Sequence, residues 1–440
     1  MSAPHVLLFS YELGPTGHTG GFRWDALTRL LAGRGYAFDV VTSATSQAAT
    51  EGLDYGPNVR LHPVEPDWAG RRLRRALAGL RGTDTVTEPP PAREEPRIPP
   101  ADAPRPMGRQ ARDGVWSAYF HADDTVWMRR AVRAGLAAAR DRKPDMVVAT
   151  LPEWRVPSAG LAVARRLGVP FGVDLRDPWY FGRGRFVASL DLVTRARWRR
   201  DELAVMRGAA IAIDGADESG AAAGGELAAL GIKTPRATVN NAAPARDVVG
   251  PVDPDRFVIA FTGFMYDFQD PRGWLAAAGR LRARHGLGPD RLAVRMLGTG
   301  ATHGGASLAG MAARAGLDGV FRAEGRVPKP EAQALTDSAA LLVLLDFPHA
   351  TQVPSKLFHY LGARGRTLIV GEPDGATARL GARAGATTVR PDDPDGLDRA
   401  MEAAFQAWRA GASTQVADAE GRFTWARSAD AMAKVLETLA

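Results

Sequence analysis

Short apolar runs of strand length alternate with stretches of helical periodicity, and they do so in two successive series along 440 residues. Parallel neighbours in a sheet need a crossover between them, so this alternation predicts βαβ units rather than hairpins or bundles. The first series reads His5–Tyr11 as a strand, ELGPTGHTG as a glycine-rich loop, Phe22–Arg34 as a helix and Ala37–Ser43 as a strand. It continues with a strand at Asp145–Thr150, a helix at Ser158–Leu167 and strands at Pro170–Leu175 and Ala209–Ile213. Loop residues then take over in VNNAAP, Val239–Pro244, which reads as a linker. The second series predicts strands at Val258–Thr262, Leu292–Leu297, Val320–Ala323, Leu341–Leu345 and Thr367–Val370. The expected fold class is α/β: two Rossmann-like, doubly wound parallel-sheet domains facing across a cleft at the carboxyl ends of their strands. The expected boundaries are 1–244, 245–422 and a closing helix at 423–440, introduced by Phe423 and Trp425 and free to pack back on the first domain.

One stretch breaks the pattern. Residues 68–126 form an arginine- and proline-rich excursion from the first domain, and EPPPAREEPRIPPADAPRP within it can hold neither a helix nor a central strand. Its front, WAGRRLRRALAGLR at 68–81, places Leu73, Ala76, Leu77 and Leu80 on one side and arginines on the other. Such a segment either packs on its own domain or makes peripheral contact with a membrane.

Composition narrows the function classes. A hydrophobic fraction of 45% with 24% charged residues is that of a water-soluble globular protein. The absence of cysteine removes thiolate nucleophiles and thiolate zinc sites, and the eight histidines show no HExxH spacing, so no metal is expected. The N-terminus MSAPHVLLFSYELG has no basic leader, and no apolar run reaches the ~20 residues of a membrane span, which points to a cytoplasmic enzyme. The net charge of +7 suits an anionic substrate, but the arginines are spread along the chain, which argues against nucleic acid. The lysines are Lys143, Lys233, Lys329, Lys356 and Lys434, every other basic residue being arginine.

The most informative stretch is QVPSKLFHYLGARGRTLIVG, Gln352–Gly371. Ser355 is expected to cap a helix that Gly362 and Gly365 end before a buried strand. Lys356 and His359 would share one helical face beside free backbone N–H groups, and with Thr351 and Ser355 they would suit an anion. In the first loop Gly14, Gly17, Gly20 and Gly21 would let backbone approach a ligand, although the spacing is not GxGxxG. His18 there is a candidate general base, or simply a solvated side chain. VDLRDPWY sets Arg176 and Asp177 at a strand end, as ligand residues or as a structural ion pair. FTGFMYDFQDPRGW puts Gly263 at a strand end and Arg272 at the next helix start, where backbone and guanidinium could meet a diphosphate.

These stretches together resemble the GT-B glycosyltransferases of retaining family 4. The likeness rests on GGFRWDALTRLLAGRGY, DDTVWMRRAV before PDMVVATLPEW, VDLRDPW and VPSKLFHYLGARGRTLIVG, and runs over nearly the whole chain. One branch of that family shows a similar Pro-Ser-Lys-Leu-Phe-x-Tyr-Leu stretch. The resemblance implies transfer of a sugar from a nucleotide-diphosphate sugar, held by the second domain, to an acceptor on the first. It implies retention of configuration and no obligatory metal. Gly20 and Gly21 would then lie at the donor phosphates, Arg176 at the donor sugar, and Arg272, Thr351, Ser355 and Lys356 around the diphosphate. The sequence departs from the family where relatives carry two glutamates seven residues apart, because Thr351 and His359 stand there. A neutral imidazole can accept one hydrogen bond only, so the ribose contact expected of the second glutamate is altered. Two other readings stay open: an inverting natural-product glycosyltransferase using His18 as base, since GPTGH resembles that loop, and a non-catalytic nucleotide-sugar-binding protein.

Overall fold

The computed structural model describes residues 3–14, 19–44, 50, 53–65, 125–151, 153, 155–183, 187, 190–243, 249–266, 268–346, 351–412, 418 and 421–440. His18, the basic segment 68–81 and nearly all of the arginine- and proline-rich excursion lie outside them. The chain divides into two compact units, residues 1–240 with 428–440 and residues 241–427.

The first unit is built on seven strands: β1 (His5–Phe9), β2 (Ala37–Ser43), β3 (Val59–Val64), β4 (Met146–Thr150), β5 (Phe171–Leu175), β6 (Ile211–Asp214) and β7 (Arg236–Thr238). They lie in the order β3-β2-β1-β4-β5-β6-β7 and every ladder is parallel. Central strands such as HVLLF and MVVAT are buried along their whole length, as expected of strands covered by helices on both faces. β3 reads VRLHPV, is only partly buried, and tolerates Pro63 because it stands at the sheet edge. Its broken apolar pattern gives no strand signal in the sequence. The helix Val156–Leu167 shows how the layers close: a Cβ on its Gly160 would lie 2.8 Å from the Ala149 Cβ, so glycine lets the helix settle onto the sheet. The helix after β1 begins at Thr19 rather than at Phe22, which draws Gly20 and Gly21 out of the expected loop and into its first turn. The last residues return to this unit. Tyr36 donates to Glu437 at 3.1 Å, Arg34 pairs with Asp430 at 2.8 Å, and Ser428 donates to the Asn240 carbonyl at 2.8 Å.

The second unit carries β8 (Phe257–Thr262), β9 (Leu292–Leu297), the short antiparallel pair β10 (Thr302–His303) and β11 (Ala306–Ser307), then β12 (Phe321–Glu324), β13 (Leu341–Leu345), β14 (Arg366–Val370) and β15 (Thr387–Val389). Its six-stranded sheet runs β12-β9-β8-β13-β14-β15, again parallel throughout. Phe257, Ile259 and Phe261 face one core layer with Trp274 and Leu275, while Val258 and Ala260 face another with Leu357 and Phe358. Both halves of the alternation therefore become doubly wound parallel sheets. Among the described residues no helix is long and apolar enough to cross a membrane.

Candidate functional site

Strand order fixes where a ligand can enter each unit. In the second sheet the chain runs outward from β8 through β9 to β12, then returns to the other side of β8 as β13. The loops leaving β8 and β13 therefore diverge, which opens a crevice at their carboxyl ends. Gly263 and the helix Ser355–Leu361 sit at those two places.

Close backbone packing builds the crevice. Gly263 has φ +102°, and its N–H donates to the Leu297 carbonyl at 2.7 Å. Gly298, with φ +85°, lies so near that a Cβ there would be 3.0 Å from the Gly263 Cα. A Cβ on Gly263 would stand 2.7 Å from the Lys356 Cε, so only glycine leaves room for that side chain, and only glycine adopts this φ without strain. Lys356 Nζ donates to the Phe264 carbonyl at 2.9 Å and lies 4.1 Å from the centre of the Phe261 ring. No carboxylate among the described residues pairs with it. The residue is half-buried, and desolvation pulls its ammonium down to about 7. Such a cation gains strongly from any anion that reaches it.

The same helix is fastened one turn on. Tyr360 accepts from the Thr262 N–H at 2.8 Å, and burial pushes its phenol up to about 12. Leu357, Phe358 and Leu361 are buried. The start of this helix differs from expectation. Pro354 occupies the N-cap, extended at φ −62° and ψ 134°, and no side chain caps the helix. Ser355 is already helical, one residue too late for the capping geometry. Gly362 closes it at φ −79°, without the left-handed turn that a glycine there permits. Upstream, the Thr377 hydroxyl lies 2.7 Å from Asp346 Oδ1 and 3.0 Å from the Gln352 carbonyl. Thr351, Ser355 and His359 are half-buried. Arg272 opens its helix as expected, but its guanidinium is exposed and held by Asp270, with Nε 2.9 Å from both carboxylate oxygens.

In the first unit the switch point lies between β1 and β4. Arg176 and Asp177 follow β5 and form an ion contact at 3.4 Å, Trp179 being fully buried nearby in the sequence. Two features escaped the sequence reading. Asp174, fully buried near the end of β5, receives Arg23 Nε and Nη2 at 3.0 and 2.9 Å, Trp24 Nε1 at 2.8 Å and the Thr150 hydroxyl at 2.8 Å. The network anchors the helix that carries Gly20 and Gly21 to the strand that leads to Arg176. Its signal was present in GGFRW and VDL, where one arginine and one aspartate interrupt buried surfaces. Glu202 gave no such signal. Fully buried on the helix Leu192–Gly208, it accepts from the Tyr180 and Phe181 amides at 2.6 and 3.1 Å, while Glu226 takes Gly182 N–H at 3.1 Å. Burial pushes the Glu202 carboxyl up to about 8, against the two amides. Among the described residues no group of three or more His, Asp or Glu side chains is placed to hold a metal ion.

Comparison with solved structures identifies the architecture. The α,α-trehalose 6-phosphate synthase of Burkholderia multivorans matches with a TM-score of 0.63 at 13% identity, over 100% of this chain and 99% of that one. Sucrose-phosphate synthase from Thermosynechococcus elongatus matches with a TM-score of 0.59 at 12% identity over 99% of both chains. The fold is GT-B. Anabaena HepE, solved in complex with UDP-glucose, matches this GT-B chain with a TM-score of 0.57 at 11% identity, over 99% of this chain and 100% of that one. No protein-family model and no curated protein matches the sequence.

Proposed function

We propose that this GT-B chain is a glycosyltransferase that moves a sugar from a nucleotide-diphosphate sugar to an acceptor hydroxyl, with retention of anomeric configuration and without an obligatory metal. The observation that carries the reading is Lys356, a half-buried ammonium with no carboxylate partner among the described residues, lying against Gly263 at a topological switch point. HepE, a structural neighbour, binds UDP-glucose, a ligand of this class. Retention and metal independence rest on the sequence resemblance to family 4.

In this reading the diphosphate enters beside Gly263 and takes the Lys356 ammonium as its counter-charge, with Thr351, Ser355 and Arg272 around it. His359 meets the ribose, Gly20 and Gly21 serve the donor phosphates and the reacting carbon, and Arg176, with Asp177 beside it, serves the donor sugar. The bond from the anomeric carbon to the departing phosphate oxygen breaks, the acceptor oxygen bonds on the same face, and the acceptor proton passes to that phosphate oxygen. Negative charge grows on the leaving group, and a preorganised cation in a dry site stabilises it most at that moment. Removing one such donor generally slows turnover by ~100- to 1000-fold, the effect expected for Lys356→Ala.

The test is product analysis by NMR after incubation with UDP-sugars and an acceptor panel, with and without EDTA. A product of unchanged anomeric configuration, formed equally with EDTA, is expected. An inverted product would replace this reading with the His18-base reading. Nucleotide binding with no transfer to any acceptor and no donor hydrolysis would leave a binding protein.

A further inference from the structure

Two side chains fill the split between β8 and β13. The ladder joining these strands stops early: Leu341 pairs with Ile259 and Leu342 with Ala260, and both strands then continue beyond it. In a parallel strand alternate residues turn their N–H and C=O groups to opposite neighbours. Ala340 donates to the Val258 carbonyl and Gly263 donates to the Leu297 carbonyl of β9, so Val258, Ala260 and Thr262 turn towards β13. The Asp346 N–H donates to the Val370 carbonyl of β14, which leaves Leu345 turned towards β8. Thr262 and Leu345 therefore aim backbone groups into the gap beyond the last ladder pair, where an unpaired group would be costly. Tyr360 and Gln269 supply the partners. The Tyr360 hydroxyl accepts from the Thr262 N–H at 2.8 Å, and the buried Gln269 side-chain amide donates to the Leu345 carbonyl.

Gln269 also shapes the loop that follows β8. Its side-chain oxygen accepts from the Tyr266 N–H at 2.9 Å, and its own backbone N–H donates to the Tyr266 carbonyl at 2.9 Å. Turned over, the side chain would set its NH2 against the Tyr266 N–H and its oxygen against the Leu345 carbonyl, so these partners dictate one orientation. The loop between Gly263 and Gln269 is thereby tied to the end of β13. That loop contains Phe264, whose carbonyl receives Lys356 Nζ at 2.9 Å, and it starts at Gly263, where a Cβ would stand 2.7 Å from the Lys356 Cε. Tyr360 lies one turn after Lys356 on the same helix and bonds the residue before Gly263. One side chain fixes the loop, the other fixes the helix, and the lysine is set between them.

We propose that Gln269 is a positioning residue: together with Tyr360 it holds the ends of β8 and β13 apart and places the Phe264 carbonyl that aims the Lys356 ammonium at an incoming diphosphate. This rests on the reading of Lys356 as the counter-charge of a donor diphosphate. A cation already held in place loses little freedom when its anion arrives, which is the benefit of a supporting set of fixed hydrogen bonds.

The test compares the full-length wild type with Gln269→Met, which keeps the length of the side chain and removes both of its hydrogen-bonding groups. Trp408→Phe is the control: it removes a hydrogen bond to the Asp253 carbonyl at the opposite end of β8, where Trp408 packs on Phe257. Both variants are expected to melt below wild type. Only the neutral amine is acylated, so labelling with trace acetic anhydride across pH, read by mass spectrometry of the peptide containing Lys356, gives the pH at which that amine is half charged. UDP affinity is measured by calorimetry. Burial holds Lys356 down to about 7 in wild type. The expected result for Gln269→Met is a midpoint higher by about one pH unit or more, as the loosened loop releases the amine to water, with about tenfold weaker UDP binding. Trp408→Phe is expected to keep both wild-type values. Tyr360→Phe loses only the hydroxyl and is expected to move both readouts in the same direction, so it serves if Gln269→Met fails to fold. Lower melting with unchanged midpoint and affinity in Gln269→Met and Tyr360→Phe overturns the proposal, and so do equal changes in Trp408→Phe, which would mean general loosening. A raised midpoint in Gln269→Met with no UDP binding by wild type would uphold the positioning of the lysine and overturn the donor reading.

Discussion

Asp174→Ala is the substitution whose cost the structure defines most closely. The carboxylate receives four hydrogen bonds from Arg23, Trp24 and Thr150, and all four side chains are buried. Truncation takes the carboxylate from the buried Arg23 guanidinium, and removing one partner of a buried ion pair costs about 3–5 kcal/mol. The orphaned indole N–H and hydroxyl add roughly 1 kcal/mol each. A total of about 5–7 kcal/mol is comparable with the whole stability of many domains, and for a unit of this size it corresponds to a melting temperature lower by about 10–25 °C. The assay is thermal and urea unfolding followed by tryptophan fluorescence, with Trp24 inside the perturbed network. The double variant Arg23→Met with Asp174→Leu removes both charges together and is expected to recover most of the loss. An Asp174→Ala protein melting within about 3 °C of wild type, or a double variant no better than the single, would refute the argument that breaking the buried ion pair is the main cost.

Two further outcomes follow from buried titrating groups. The Glu202 carboxyl is raised to about 8, so the folded state holds a proton there that the unfolded chain releases near the ordinary carboxyl range. Its contribution to stability is full below that range and is lost as pH rises towards about 8. Glu202→Gln keeps an acceptor for the Tyr180 and Phe181 amides, so its urea midpoint relative to wild type should rise between acid and mildly alkaline pH, and a constant difference would sink the assignment. Lys356 is lowered to about 7, so its charged form burdens the folded state, a cost relieved above the ordinary lysine range and felt in full as pH falls through about 7. Lys356→Met is therefore expected to melt higher than wild type at pH 6 while losing at least about tenfold in UDP affinity by calorimetry. A variant that melts lower, or binds UDP undiminished, contradicts the desolvated-cation picture.

The sheets were legible because most of their central strands are buried on both faces and read as largely apolar runs. Leu292–Leu297 and Leu341–Leu345 match to the residue, and Val258–Thr262 begins one residue late. The partly buried edge strands Val59–Val64 and Thr387–Val389 were not, since half of each faces away from the core and no run marks it. The meeting of Lys356 with Gly263, positions far apart in sequence, could be anticipated only through the rule that parallel sheets open a crevice where strand order reverses. Local rules reached less far. Ser355 looked like a cap because serine commonly is one, yet Pro354 already held the extended conformation that the cap position needs. The roles of Arg23, Asp174 and Glu202 depend on partners brought in by tertiary packing, and Glu202 sits in a sequence, RRDELA, that reads like any exposed helical face.

The helix that presents Lys356 has seven residues, fewer than an isolated peptide needs to hold helical structure in water. Tyr360 and the buried Leu357 and Phe358 supply that order from the sheet, so the lysine has a defined position only after β8 and β13 have assembled. The crevice beside Gly263 is therefore a property of the assembled second sheet, and an unfolded or damaged unit presents no ordered cation there. By mass action, a cell rich in the ligand would in turn shield the finished protein from proteolysis.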